Sequence, residues 1–275
     1  MLGVTFAECV RRVNTNQGRI VLKRKPPQVM QAGKRTNAAG KLIRNKILLA
    51  MTDVEFRVIR LHLEYVVLPS HFSLHEPHQT FRFVYFPNEG LISLVVAMAN
   101  GKTVEAGVVG SEGVAGLPAV AGLSRAPLRE VMQIGGNGFR VKIRDLKNTL
   151  DSTPDLQRIL GRSTMMLGLQ VAQTAACNRL HDIDRRLARW LLMARDRVDS
   201  GTLRITHDFL ATMLGTDRPS VSVAAGLFQR MNIIKYSRGA VKILNRGALE
   251  KQACECYAVI QRYALISQHL PDQTL

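Results

Sequence analysis

Residues 205–244 read ITHDFLATMLGTDRPSVSVAAGLFQRMNIIKYSRGAVKIL. Thr206 precedes a short run whose apolar residues, Phe209, Leu210, Met213 and Leu214, share one helical face, and its hydroxyl suits the N-cap of that helix. Gly215 then stops the helix and permits a tight turn, Thr216 follows, and Asp217 caps a second helix. Pro219 falls in the first turn of that helix, where a missing N–H does no harm. On a wheel of residues 218–230, Val221, Ala224, Ala225 and Phe228 cluster on one side. Pro219, Ser222, Val223, Gly226 and Arg230 take the other, with Arg218 at its edge. A glycine inside a helix costs about 0.5–1 kcal/mol relative to alanine, so Gly226 calls for a reason. Ile233–Lys235, Ser237–Gly239 and Val241–Leu244 read as strand, turn and strand. Together these segments predict a winged helix-turn-helix whose second helix shows small and polar groups outward, a shape that sinks into a DNA major groove. The plainer reading is a helical hairpin in an α+β domain.

The charge agrees with a polyanionic partner but carries less weight than its size suggests. The 275 residues hold 38 Lys and Arg against 21 Asp and Glu, a formal net charge of +17. Residues 1–46 contain eleven of those bases and a single acid, Glu8, so +10 sits in a segment without sustained apolar periodicity. Residues 1–40, punctuated by Gly18, Pro26–Pro27, Gly33 and Gly40, are expected to be a flexible basic arm. With 46% apolar residues, the remainder can bury a core. The longest apolar stretch, Leu91–Ala99, is about half of the roughly 20 residues that span a bilayer. Neither a signal peptide nor a membrane partner is expected, and the expected location is cytoplasmic.

Between arm and helix-turn-helix the periodicity changes twice. Leu42, Ile43, Leu48, Leu49, Phe56, Ile59 and Leu63 recur at helical spacing over 41–63, and Thr52 with Glu55 resembles a capping box. Short β-branched and aromatic runs follow: Tyr65–Leu68, Phe81–Phe86, Leu91–Met98, Thr103–Val109, Glu130–Ile134 and Phe139–Val141. Breaks are expected at Pro87–Gly90 and Gly135–Gly138, and a two-residue hairpin turn at Asn100–Gly101. Such spacing suggests a barrel or jelly roll. Helical periodicity returns over 154–180, opened by Pro154. Leu156, Leu160, Leu167, Val171 and Thr174 form one stripe there, expected to pair with a second copy of the chain. The plainer alternative packs that stripe on the chain's own β-domain. A further helix, 183–198, shows Ile183, Leu187, Trp190, Leu191, Ala194 and Val198 on one face and Arg185, Arg186, Arg189, Arg195 and Arg197 around the rest.

At this point the chain resembles the Crp/Fnr family of bacterial transcription regulators. The resemblance runs from about Asn45 to Tyr257. It is carried by RLARWLLMARDRV (186–198), by the helix-turn-helix with its wing, and by ILNRGALEKQACECY (243–257); VYFPNEGLISL (84–94) and TVEAGVVGSEGVAGLP (103–118) resemble the sensor domain of a subgroup without an assigned ligand. It implies an α+β fold in four parts. These are the arm at 1–40, a β-roll of the jelly-roll, cyclic-nucleotide-binding-like kind at 41–150, a dimerisation helix at 151–182, and a winged helix-turn-helix DNA-binding domain at 183–275. It also implies a homodimer on a palindromic operator, working with RNA polymerase, and not an enzyme. The DNA-contacting set would be Thr206, Thr216, Asp217, Arg218, Pro219, Ser220, Ser222, Val223, Arg230, Tyr236, Ser237 and Arg238. Arg218 matches the family's arginine at that position, a contact to guanine or phosphate, and Ser220 matches a phosphate-binding threonine. Pro219 and Val223 replace a base-reading glutamate and a second arginine, so the half-site is expected to differ from the family's best known one.

No cofactor is expected, and a small-molecule effector is left open. A cyclic-nucleotide pocket would need a glutamate, near Glu112, followed by an arginine and a small hydroxyl residue. The segment GVAGLPAVAGLSRAPLREVMQ supplies no such pair. Cys9, Cys177, Cys254 and Cys256 show no paired zinc spacing, and Cys254 and Cys256, two apart on an expected helix, are read as packing residues pointing to different faces. His62, His71, His75 and His78 invite a metal-binding cupin-like barrel enzyme as the alternative, although Pro77 breaks their spacing and loop histidines are the plainer reading. A second alternative is a ligand-sensing module whose C-terminal domain binds protein or RNA.

Overall fold

The computed structural model describes residues 35–198 and 200–269. The expected basic arm lies outside the described residues as far as position 34, and its last part is not an arm. Arg35 is buried, and its guanidinium donates to the carbonyls of Leu48 and Met51 and to Asp53 Oδ1, each at 2.7 Å. It thereby closes the C-terminal end of helix α1 (Lys46–Ala50). The helical stretch read over 41–63 is two short α-helices and a closing 3-10 turn, Arg60–His62. Asn45 caps α1 through Ile47 N and Leu48 N, and Thr52 caps α2 (Asp53–Ile59) through Glu55 N, with an extended Met51 between them.

Strands β1 (Glu64–Leu68), β2 (Ser73–His75), β3 (Phe83–Ala97), β4 (Thr103–Val109) and β5 (Arg129–Lys142) form one antiparallel sheet in the order β1-β5-β3-β4, with β2 also on β5. Short helix α3 (Leu117–Val120) lies between β4 and β5. The expected breaks at Pro87–Gly90 and Gly135–Gly138 are not breaks: β3 and β5 run through them, with register shifts between Pro87 and Ile92. Glycine makes this possible. A Cβ on Gly136 would stand 2.2 Å from Glu89 O, and one on Gly90, at φ +97°, 2.7 Å from Ile134 O. The two strands therefore bulge against each other at a distance only glycine tolerates. The turn after β3 also differs from expectation. Met98 and Lys102 pair across it and Gly101 alone has positive φ, so Ala99–Gly101 make a three-residue turn.

After α4 (Ile143–Leu150) come the long α5 (Pro154–Leu180), α6 (Ile183–Arg197), β6 (Thr202–Arg204), α7 (His207–Leu214), α8 (Arg218–Arg230), β7 (Ile234–Ser237), β8 (Ala240–Ile243), α9 (Arg246–Gln252) and α10 (Cys256–His269). The fold is α+β, with a sheet domain, a long helix and a helix-turn-helix in that order. Phe86 and Phe139 anchor one core with Leu48, Phe56 and Leu146. A second core joins Leu91, Val95 and Val108 of the sheet to Leu187, Trp190 and Leu191 of α6 and to Leu210, Val221 and Phe228.

The stripe expected to pair two copies is used inside the chain. Leu156 and Leu160 are fully buried in the first core, Thr174 is buried, and Leu167 and Val171 lie against Gly107 of β4. The sheet offers an apolar surface within reach of α5, and the helix's broadest apolar arc covers it. The opposite side of α5 is exposed: Gly161, Met165, Gly168, Ala172, Ala175 and Arg179. Their spacing alternates between four and three, the spacing of a heptad.

Candidate nucleic-acid interface

Each turn of the C-terminal motif is fixed by a local bond. Thr206 Oγ1 accepts from Phe209 N, and Gly215 takes the left-handed conformation (φ +60°) that ends α7. The Asp217 carboxylate accepts from both the N–H and the hydroxyl of Ser220 at 2.8 Å, which holds its pKa below the usual carboxylate range. Thr216, half-buried in the turn, donates its N–H to Ala211 O at 2.9 Å. Val221, Ala224, Ala225 and Phe228 turn α8 onto the core, leaving Arg218, Pro219, Val223 and Arg230 exposed. A Cβ at Gly226 would meet only Arg230 Nη1, at 3.6 Å, so nothing in the described chain requires glycine there.

The wing is a true hairpin. β7 and β8 pair from Ile234–Ile243 to Ser237–Ala240, joined by Arg238 (φ +48°) and Gly239 (φ +75°), and β6 adds a third strand on β8. Two positive φ angles make a type I′ turn. An arginine there costs about 1 kcal/mol in backbone strain, yet Arg238 is exposed and gains no packing for it. Lys235 stands directly opposite Lys242, and Arg204 lies exposed on the adjoining strand. Like charges facing across a ladder repel, so the pair concentrates positive charge on this surface. Strand alternation was the signal for Lys235, Lys242 and Arg204, which sequence reasoning left out.

His207 is the other residue that reasoning missed. Its ring stacks on Tyr236, with centroids 4.0 Å apart, and its Nδ1 lies 2.9 Å from Ser222 Oγ. Burial, with Arg218 nearby, keeps its pKa below the usual histidine value. Ser222 and Tyr236, both half-buried, are thus engaged in joining α7, α8 and the wing. Arg218 reaches Asp208 at 3.4 Å, with both side chains mostly in solvent.

The motif is also docked on the sheet domain. Arg186 of α6 donates to the carbonyl of Leu214 in α7, and α6 in turn reaches the sheet domain, where Trp190 Nε1 donates to Glu105 Oε1 at 2.7 Å and Arg197 Nε to Glu112 Oε1 at 2.6 Å. The arginines of α6 therefore do not simply face water: Arg189 is buried and the Arg197 side chain nearly so. Glu112, the one carboxylate suited by position to a cyclic nucleotide, is committed to Arg197 and to Gly110 N. Burial pushes its pKa up, but Arg197 and the N–H donors outweigh that and hold it below the carboxylate range.

The four N-terminal histidines do not gather. His75 Nδ1 is 2.6 Å from Glu130 and its Nε2 3.0 Å from Phe83 O, while His71 and His78 occupy positive-φ turns. The cysteines do not point to different faces. Residues 253–255 form a turn rather than helix, so Cys254 and Cys256 both face Cys177.

A profile of the Crp-like helix-turn-helix domain matches residues 185–252. No curated protein matches the chain in sequence. Among solved structures, FixK2 of Bradyrhizobium japonicum superposes with a TM-score of 0.61 at 16% identity, covering 70% of this chain and 98% of its own. CLP, the c-di-GMP responsive global regulator of Xanthomonas campestris, gives 0.57 at 15%, covering 69% and 98%. TTHB099, a CRP-family transcriptional regulator of Thermus thermophilus, gives 0.56 at 20%, covering 68% and 96%. Among the described residues no helix is long and apolar enough to cross a membrane. The chain thus carries a Crp-like helix-turn-helix domain on the fold of the Crp/Fnr type of DNA-binding transcription regulator.

Proposed function

We propose that the chain acts as a homodimer on a palindromic operator, with α8 of each copy in the major groove and the wing along the flanking phosphates. The observation that carries this reading is the outward face of α8. It is narrow, slimmed by Gly226, ended by Arg218 and Arg230, and flanked by the like-charged strand pair Lys235–Lys242. Arg218 is the principal base reader. Its guanidinium matches the two acceptors of guanine, and its exposed pair with Asp208 is weak enough to give up on binding. Val223 offers apolar contact to a thymine methyl. Thr206, Thr216, Ser220, Ser237 and Arg238 contact phosphates, while Asp217, Ser222 and Tyr236 hold the geometry through Ser220 and His207.

The homodimer forms along the exposed seam of α5 rather than its buried stripe. The sheet domain is a coupling element to RNA polymerase or an effector, and the site of action is the cytoplasm. Glu112's commitment to Arg197 argues against cyclic nucleotides as that effector.

Genome-wide recovery of bound DNA tests the reading, followed by titration on the recovered site. Arg218→Ala is expected to lose about 1–3 kcal/mol and relax the preference at one position of each half-site. Affinity is expected to fall steeply with salt as phosphate contacts release counterions. Unchanged selectivity in Arg218→Ala, or a flat salt response, would count against it.

A further inference from the structure

Three elements far apart in sequence meet at the far end of α5. Cys177 lies in its last turn and His181 is the residue that ends it; Cys254 lies in the turn after α9 and Cys256 opens α10. The three thiol sulfurs and a ring nitrogen of His181 all lie within 4.8 Å of one another. Cys177 Sγ is 3.5 Å from Cys254 Sγ, and Cys256 Sγ is 3.5 Å from His181 Nδ1. We propose that Cys177, His181, Cys254 and Cys256 are a binding site for one zinc ion, with three thiolates and one imidazole as its four ligands.

The spacing admits a metal ion and excludes a disulfide. With Zn–S near 2.3 Å and Zn–N near 2.1 Å, a tetrahedral ion sets its ligand atoms about 3.5–3.8 Å apart. A disulfide needs about 2.05 Å between sulfurs. Sulfur-rich tetrahedral donors select zinc over the harder divalent cations. The three cysteines are buried and His181 half-buried, as in a closed structural site with no position kept for water.

The surroundings fit a loaded site as well. His181 presents Nδ1 to the sulfurs, while its Nε2 lies 3.1 Å from Glu255 Oε1. That carboxylate–imidazole pairing fixes the ring and the tautomer in metal-bound histidines. Gln173 Nε2 donates to Cys256 Sγ at 3.0 Å, a bond that favours a thiolate acceptor. Zinc with three thiolates and a neutral imidazole carries one net negative charge, and binding releases three protons to solvent. Arg186 and Arg189 lie within electrostatic reach of Cys177, and the Nε of each is buried without a hydrogen-bond partner. They supply the opposing charge. The ion would pin the end of the long helix to the last two helices of the helix-turn-helix domain, and this assignment does not depend on DNA binding.

The test starts with the full-length chain purified without chelators. Elemental analysis is expected to give one zinc per chain, released stoichiometrically when the thiols are titrated with an organomercurial. Cobalt(II) added to the metal-free protein is expected to give the intense visible bands and thiolate charge-transfer absorption of a tetrahedral site. Cys254→Ser is expected to lose the ion, and Cys256→His, a ligand-for-ligand exchange, to keep it with an altered cobalt spectrum. Mercurial release and cobalt spectra are read on the wild-type chain, so a Cys254→Ser chain that fails to fold leaves them decisive. Absence of stoichiometric zinc after reconstitution, an iron–sulfur chromophore, or a Cys177–Cys254 disulfide in the non-reduced peptide map would each overturn the assignment.

Discussion

Glu105 is a buried carboxyl at the seam between the sheet domain and α6, held by Ser93 and Trp190. Burial lifts its pKa to about 7, against the hydrogen bonds from Ser93 and Trp190, which lower it. The folded state therefore keeps a proton that the unfolded chain gives up near 4.5. The stability linked to this proton is intact below about pH 4.5 and is lost as pH rises to about 7, by about 1.4 kcal/mol for each pH unit crossed. Glu105→Gln keeps an acceptor for Trp190 and a donor for Ser93 without the ionisation. Its melting temperature is expected to match wild type near pH 5 and to exceed it by several degrees at pH 8; parallel pH profiles would refute this. Gly226 gives a prediction with two opposed signs. Gly226→Ala fits without a clash and should stabilise α8 by about 0.5–1 kcal/mol, yet DNA affinity should fall, because the added methyl stands on the groove-facing side. Denaturant melts and DNA titration check the two signs; a stabilised variant with unchanged affinity would show that α8 approaches DNA elsewhere.

Among the elements, those specified by neighbouring residues were legible in sequence. The ends of α7 and α8 follow from Thr206, Gly215 and Asp217, and α5 runs from Pro154 to Leu180 as its periodicity predicts. Features that need two distant segments were not. The bulges that fuse Pro87–Gly90 into β3 exist because Gly136 faces them, and Cys177 meets Cys254 across 77 positions. Glu55 shows the same limit. Its position after Thr52 resembles a capping box, but its carboxylate accepts from Asp155 N and Leu156 N, both at 2.9 Å, at the start of α5. Thr153, the residue before that helix, makes no side-chain cap bond, so α2 supplies the acceptor that the N-terminus of α5 lacks. Glu55→Ala should cost about 2–3 kcal/mol, since it strands two N–H groups that a buried charged acceptor now satisfies. Chemical denaturation reads that loss; a cost near zero would mean that water replaces the carboxylate.

For the molecule as a whole, α5 is the shared spine. One side is consumed by the sheet domain, its C-terminal end meets α10 and the cysteine cluster, and the remaining side, Gly161 to Arg179, is left exposed. In the homodimer proposed above, two such seams approach closely because their central residues are glycine and alanine, and their contact sets the separation of the two α8 helices. Successive major grooves on one face of DNA lie about 34–36 Å apart. Ala172→Glu places like charges across the two-fold axis without touching the chain's own core. It is expected to convert a dimer to a monomer in sedimentation, keep the wild-type melting behaviour of the monomer, and lose most affinity for a palindromic site while retaining weak half-site binding. Leu160→Ala should do the reverse, losing about 2–5 kcal/mol of stability with the dimer constant little changed. An Ala172→Glu chain that stays dimeric, or a Leu160→Ala chain that dissociates while folded, would return the interface to the buried stripe and require α5 to leave the sheet before two copies meet.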